Sequence, residues 1–465
     1  MNRIILFSSV VRTCTRAFHL PKLFASASSA AKRDRVWCAS SMALSTSTSI
    51  LSDVNVERVR KDMLDASGTL QFNNAGDSPM PRAVLERVTS YLEMEATIGG
   101  YEAAARCGEE LQEVYDSAAR LINASPDEIA LQESASMAWA RAFYALAQGL
   151  KPGDKLLTSM VEYGANYVAM LQACKRTGAV IEIIPSDEVG ELDLNALENM
   201  LSAGGVKAVV ITHVPTNGGV VNPAQEVGSI CRRFGVLYIL DACQSVGQLQ
   251  VDVAEIGCQV LCATGRKYLR APRGTGFLYI SREAMDTIGE PPMIDHYAAP
   301  WVAKEKYELR KDARRFEFWE SNVAGRLGLG VALRYALSIG MKPIEERIRL
   351  VATSLRDRLN REERVSVMDL GKPERQCGIV SFTVQGMDAG LVKEGLRSEG
   401  IYVSTSSAES TPLDAEDRAL PVVVRASVHY FNTEEELERF MEVLRRVMMP
   451  ITADAEPEEP RVPRS

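Results

Sequence analysis

Three apolar runs of this chain end in residues able to do chemistry. Residues 236–240 lead directly into Asp241, with Gln244 just beyond, and residues 260–263 lead into Thr264-Gly265-Arg266-Lys267. A glycine-rich turn, Arg273-Gly274-Thr275-Gly276, then opens a third run that reaches Tyr279. Short apolar runs bounded by polar residues and glycine read as buried strands, and ligands of an open α/β sheet gather at the ends of such strands. The pattern therefore predicts an acid, an amide, an arginine and a lysine along one sheet edge. That set suits pyridoxal phosphate (PLP), which needs an amine to hold its aldehyde as a Schiff base, an anion to keep its pyridine nitrogen protonated, and donors for its phosphate. On this reading Lys267 is the amine and later the general base, Asp241 is the anion, and Thr264 and Arg266 serve the phosphate. Each residue alone has a plainer explanation, since a lysine after a strand is usually solvated and an Asp there usually caps a helix. The ordered set points to the cofactor.

The surrounding elements are legible from periodicity. Apolar runs at 129–131, 155–158, 180–184 and 208–212 precede helical segments starting near Met137, Ala165, Leu192 and Pro223, which is the rhythm of βα units. The first run is followed by Glu133-Ser134-Ala135-Ser136 at a helix start, where free backbone N–H groups form an anion site, so Ala135 and Ser136 join the phosphate candidates. Upstream, helical spacing near Val54 gives way to a turn-rich stretch at 72–79, an amphipathic helix over 81–95 and a glycine joint at 98–102. The βα rhythm stops near Pro291. An apolar helix over 327–336 then leads to a smaller region with strands expected at 378–384 and 422–427.

Composition narrows the class. The chain has 465 residues, 46% hydrophobic and 25% charged, which exceeds one usual core and predicts two domains. A formal charge of −8 argues against nucleic acid as a partner, and no apolar run approaches the ~20 residues of a membrane-spanning helix. Nine cysteines without a C-x-x-C pair, and four histidines, give neither a disulfide framework nor a metal site, so a reducing compartment and no metal are expected. Residues 1–33 carry Arg3, Arg12, Arg16, Lys22, Lys32 and Arg33, many Ser and Ala, and no acid, the composition of a transit peptide. A mitochondrial address is expected over a plastid one, and Met42 offers an internal start for a cytosolic form.

ILDACQSVGQ followed by ATGRKYLRAPRGTGFLY resembles the active-site signature of the class V aminotransferase family, which includes cysteine desulfurases, selenocysteine lyase, isopenicillin N epimerase and the hercynylcysteine sulfoxide lyases. The similarity runs from about Phe72 to Met448. It implies an α/β protein of fold type I, a PLP-dependent transferase fold with a mostly parallel seven-stranded sheet in the large domain and a smaller α+β C-terminal domain. The implied boundaries are a transit peptide (1–41), an arm and helices (52–100), the large PLP-binding domain (101–335), the small domain (336–450) and a disordered tail (451–465). By resemblance Tyr163 stacks on the cofactor, in an E-Y-x-x-N segment where the family usually has His. Either Thr216 or Asn217, together with Gln244, meets the ring hydroxyl. Thr275 reaches the phosphate of a neighbouring subunit, implying a homodimer with shared active sites. Asn74, beside Ala75, lines the substrate pocket from the arm, and Arg425 of an R-A-S segment pairs with the α-carboxylate of an amino-acid substrate.

One departure bears on the reaction. In similar desulfurases the loop aligned with residues 400–413 carries the cysteine that takes up sulfur, and here Glu409 stands in that place. A carboxylate accepts no persulfide, which argues against desulfurase activity. The IGGYEAA and EYGAN segments favour a C–S lyase similar to the hercynylcysteine sulfoxide lyases, acting on a cysteine conjugate or cysteine sulfoxide. The alternatives are an aminotransferase or an amino-acid epimerase, and a non-catalytic PLP-binding scaffold of the same fold.

Overall fold

Seven strands make the central sheet: β1 (Ile129–Gln132), β2 (Lys155–Ser159), β3 (Val180–Ile184), β4 (Val206–Thr212), β5 (Leu237–Asp241), β6 (Val260–Thr264) and β7 (Gly276–Ile280). This computed structural model describes residues 54–64 and 68–449. The expected transit peptide and acidic tail lie outside the described residues. The strand order is β1-β7-β6-β5-β4-β2-β3, parallel throughout except for β7, which runs against both neighbours. Successive strand residues point to opposite faces. Accordingly Val209, Ile211, Leu240 and Leu261 enter one core, while Ala208, Val210, Ile239 and Val260 enter the other. Burial on both faces is why these strands read as continuous apolar runs.

The reversal of β7 matters for the site. Its first residue, Gly276, sits opposite both Thr264 and Gln132. The 273–275 turn is thereby carried to the edge where the parallel strands end.

A second, antiparallel sheet has the order β8-β9-β11-β10, built from β8 (Val365–Val367), β9 (Ile379–Val384), β10 (Ser404–Ser406) and β11 (Val423–Ser427). It packs with helices Met341–Leu359, Ala389–Ser398 and Glu434–Met448, the last opened by a capping box between Thr433 and Glu436. The expected joint at 98–102 is a corner between helices Arg82–Ile98 and Gly100–Arg106, turned by Gly99 at φ 87°. No helix among the described residues is long and apolar enough to cross a membrane.

The arm joins the two sheets. Leu70–Gln71 pairs in parallel with Ile401–Tyr402, and the Ser427 N–H donates to Phe72 O at 2.6 Å. A few residues on, the Ser78 N–H donates to Arg266 O (2.9 Å) and Arg270 Nε to Pro79 O (2.8 Å).

Candidate active site

The carboxyl ends of β1, β2, β4, β5 and β6 surround a cleft of about 310 Å³. Nine of the residues predicted from sequence line it: Ala135, Ser136, Tyr163, Thr216, Asp241, Gln244, Thr264, Arg266 and Lys267. At one end, Ser134 caps helix Ala135–Ala147 by accepting from the Met137 N–H (3.2 Å). The amides of Ala135 and Ser136 stay without intrahelical acceptors, beside Thr264 and Arg266. Gly265 belongs to this cradle because a Cβ there would lie 2.2 Å from Thr275 Oγ1. At the other end Asp241 is fixed from two sides, its Oδ1 accepting from the Cys243 N–H (2.9 Å) and its Oδ2 from Asn166 Nδ2 (2.7 Å). Between them Lys267 Nζ lies 3.2 Å from Cys243 Sγ.

The second half of the site comes from the small sheet and the arm. Arg425, 6% exposed on β11, donates from Nη1 to Thr216 O (2.8 Å) and Thr216 Oγ1 (2.7 Å). Its Nη2 reaches only as far as Asn73 Oδ1 (3.5 Å), and its Nε has no partner. Burial lowers the pKa of this guanidinium, and no carboxylate among the described residues offsets the cost. A buried cation without a counter-charge is costly, which makes it a natural receptor for a substrate carboxylate. Above the cleft, the loop bearing Glu409 crosses the start of helix Gly164–Thr177. A Cβ on Gly164 would lie 2.6 Å from Glu409 O, so glycine is what lets the loop pass.

Four predicted residues sit elsewhere. Asn74 is fully buried and turned inward, donating to Ser427 O (2.8 Å) and accepting from Ser78 Oγ (2.6 Å). Its neighbour Asn73 is the arm residue that faces Arg425. Asn217 donates to Asp414 Oδ2 (2.7 Å), which leaves Thr216 as the member of that pair at the cleft wall. Thr275 is buried in its own turn, its hydroxyl donating to Pro272 O (2.6 Å), while Arg273 and Gly274 reach the cleft. Arg425 does not line the cleft itself: Thr216 at the wall holds its Nη1, and its Nε, with Nη2 only loosely engaged, is left for a carboxylate.

The donor set fits PLP. Lys267 would supply the amine, Asp241 would meet the ring nitrogen, and the helix terminus with Arg266 would receive the phosphate. Gln244 adds an independent sign. Its Nε2 donates to Ala75 O (3.2 Å) while its buried Oε1 has no partner, leaving an acceptor for the ring hydroxyl.

The sheet and site together define a PLP-dependent enzyme of fold type I. Residues 71–440 match the family model described as aminotransferase class-V, and the chain belongs to that family. A probable cysteine desulfurase of Pyrococcus abyssi is 30% identical over 395 residues, covering 84% of this chain and 97% of that protein. Another from Methanothermobacter thermautotrophicus is 30% identical over 403 residues, covering 85% and 98%. The apo cysteine desulfurase of Thermococcus onnurineus NA1 superposes with a TM-score of 0.79 at 27% identity, covering 84% of this chain and 97% of that one. The cystine C–S lyase C-DES, solved with its product cysteine persulfide, shares the fold at 23% identity and a TM-score of 0.72, covering 81% and 97%.

Sequence reasoning passed over three residues that the structure brings to the site. Cys243 is the one cysteine among the described residues that lines the cleft, and burial raises its thiol pKa. Glu162 and Asn166 form a buried pair behind Asp241. The sequence signal is their spacing of four, which puts both at one helix start on either side of Tyr163.

Proposed function

We propose that this enzyme is a C–S lyase that cleaves a cysteine conjugate or cysteine sulfoxide, similar to the hercynylcysteine sulfoxide lyases. When bound, PLP supplies an electron sink adjoining the substrate α-carbon. Arg425 takes the substrate carboxylate, Asp241 holds the proton on the ring nitrogen, and Lys267, once its amine is free, removes the α-proton. The C–S bond then breaks, the sulfur group departs with its electron pair, and water releases pyruvate and ammonia.

The observation that carries the choice of reaction is the loop over Gly164, which presents Glu409 and no thiol. The cysteine in the cleft, Cys243, is half-buried between Asp241 and Lys267 with its thiol pKa raised by desolvation, a poor state for accepting sulfur. The names of the relatives favour a second reading, cysteine desulfurase with Cys243 as acceptor. Purified enzyme given cysteine sulfoxide conjugates should form pyruvate in proportion to substrate consumed. Alanine plus a persulfide on Cys243 from free cysteine would favour the second reading. Amino transfer to an oxo acid without pyruvate would make the enzyme an aminotransferase, and α-carbon inversion without bond cleavage would make it an epimerase.

The same reading includes a homodimer with the Thr275 turn offered to the neighbouring copy, and a mitochondrial location. Exposed Met293, Trp301 and Tyr307 supply apolar surface for such a contact. Sedimentation of the holoenzyme as a monomer would remove the dimer from the proposal.

A further inference from the structure

Asn166 lies between two carboxylates. Its Nδ2 donates to Glu162 Oε1 (2.9 Å) and to Asp241 Oδ2 (2.7 Å). Both neighbours are acceptors when ionised, so only the nitrogen end of the amide fits between them, and its two N–H bonds are both used. Glu162 is held in turn. Its Oε1 also accepts from the Tyr163 N–H (3.0 Å) and Thr212 Oγ1 (2.6 Å), and its Oε2 from Thr158 Oγ1 (3.0 Å) and the Thr212 N–H (3.0 Å). Five donors on a carboxyl that is 1% exposed make a rigid anchor. Burial, with Asp241's charge adding to it, pushes this carboxyl up to about 7, and the Thr158 and Thr212 hydroxyls can rotate to accept its proton. The anchor therefore survives either charge state.

We propose that Glu162 and Asn166 are positioning residues for the PLP ring nitrogen: Glu162 fixes the amide of Asn166, and Asn166 fixes the Asp241 carboxylate so that one lone pair points into the cleft. The Cys243 N–H on Oδ1 completes the clamp. With Asn166 absent, Asp241 loses its charge-assisted donor and its aim toward the ring. The relay also joins β2, β4 and β5, because Thr212 and Asp241 end β4 and β5 and Thr158 is the next-to-last residue of β2. It rests on the PLP site and not on the choice of reaction, so its failure would leave the C–S lyase reading standing.

The test uses the full-length enzyme, stripped of PLP and reloaded. Asn166→Ala should weaken PLP binding ~10- to 100-fold, the range expected for loss of a hydrogen bond to a charged group. With ring-15N-labelled PLP at saturation, its nitrogen resonance should move toward the unprotonated position. Glu162→Gln should act the same way but less, and the double variant should match Asn166→Ala alone, since one residue acts through the other. Thermal unfolding of the apo variants separates this from a folding defect, which would leave the ring-nitrogen resonance of the loaded fraction unmoved. Should Asn166→Ala fail to fold, Thr158→Val removes one donor to Glu162 isosterically and should still weaken PLP binding about threefold. An unchanged nitrogen resonance, an unchanged PLP affinity, or additive losses in the double variant would overturn the proposal.

Discussion

The cofactor end and the substrate end of the cleft are built differently. The cofactor end is made of strand termini of one sheet whose residues fall within a stretch of 140 positions, from Ala135 to Gly274. The substrate end is assembled from three distant pieces: Asn73 on the arm, Glu409 on a loop of the small sheet, and Arg425 on β11. A site on strand ends inherits its precision from a core packed on both faces. A site gathered from loops has fewer constraints and is where one fold can exchange one reaction for another. The difference teaches that cofactor dependence and reaction type are separable properties of this molecule, and substitutions should separate them.

The strongest break is at the cofactor end. Lys267→Ala should lower turnover roughly 10³-fold, the scale of a lost general base, and borohydride should no longer fix PLP to the protein. Rate measurement and intact mass check both.

Next comes the seam between the two ends, where His213 follows β4 and is buried, its imidazole pushed down to about 4 by burial with Arg375 adding to the effect. In the unfolded chain the same group takes its proton near 6.5, so the unfolded state binds more protons across the window between. Stability should fall as pH drops from about 6.5 to 4, by about 3 kcal/mol from this residue. His213→Gln should flatten that part of a denaturation-versus-pH curve.

At the substrate end, Arg425→Lys should raise KM ~10- to 100-fold with little change in kcat, because an ammonium cannot reproduce the forked contact. PLP affinity should be unaltered; a parallel loss of PLP would erase the distinction drawn here. Smallest is Gly164→Ala, which presses a methyl on Glu409 O and should cost about 1–2 kcal/mol in thermal unfolding while leaving PLP affinity intact.

The same contrast governs what the sequence disclosed. The inner strands, buried on both faces, read as apolar runs whose ends fall within two residues of those observed, while β3, a partly exposed edge strand containing Glu182, was placed to the residue by its β-branched Val180, Ile181, Ile183 and Ile184. The order of acid, amide and lysine along one edge followed from that. The small sheet was half seen: β10 is Ser-Thr-Ser, and β8 is three residues long, so neither has the apolar run that marks a strand. At the substrate end the segments were found but the facing residue was not. Asn73 and Asn74 are identical in type, and only the path of the arm past Ser427 decides which one turns inward. Thr216 and Asn217 pose the same problem, resolved by Asp414 from the short helix Pro412–Asp417, 197 residues on.

The arm has a mechanical consequence. Bonded to Ser427 through Phe72 and Ala75, and to Arg266 through Ser78, it works as a splint across the gap that a hinge would need to open. Rocking the small sheet away from the large one would have to break these bonds, so the arm opposes any motion that would draw Arg425 away from Lys267.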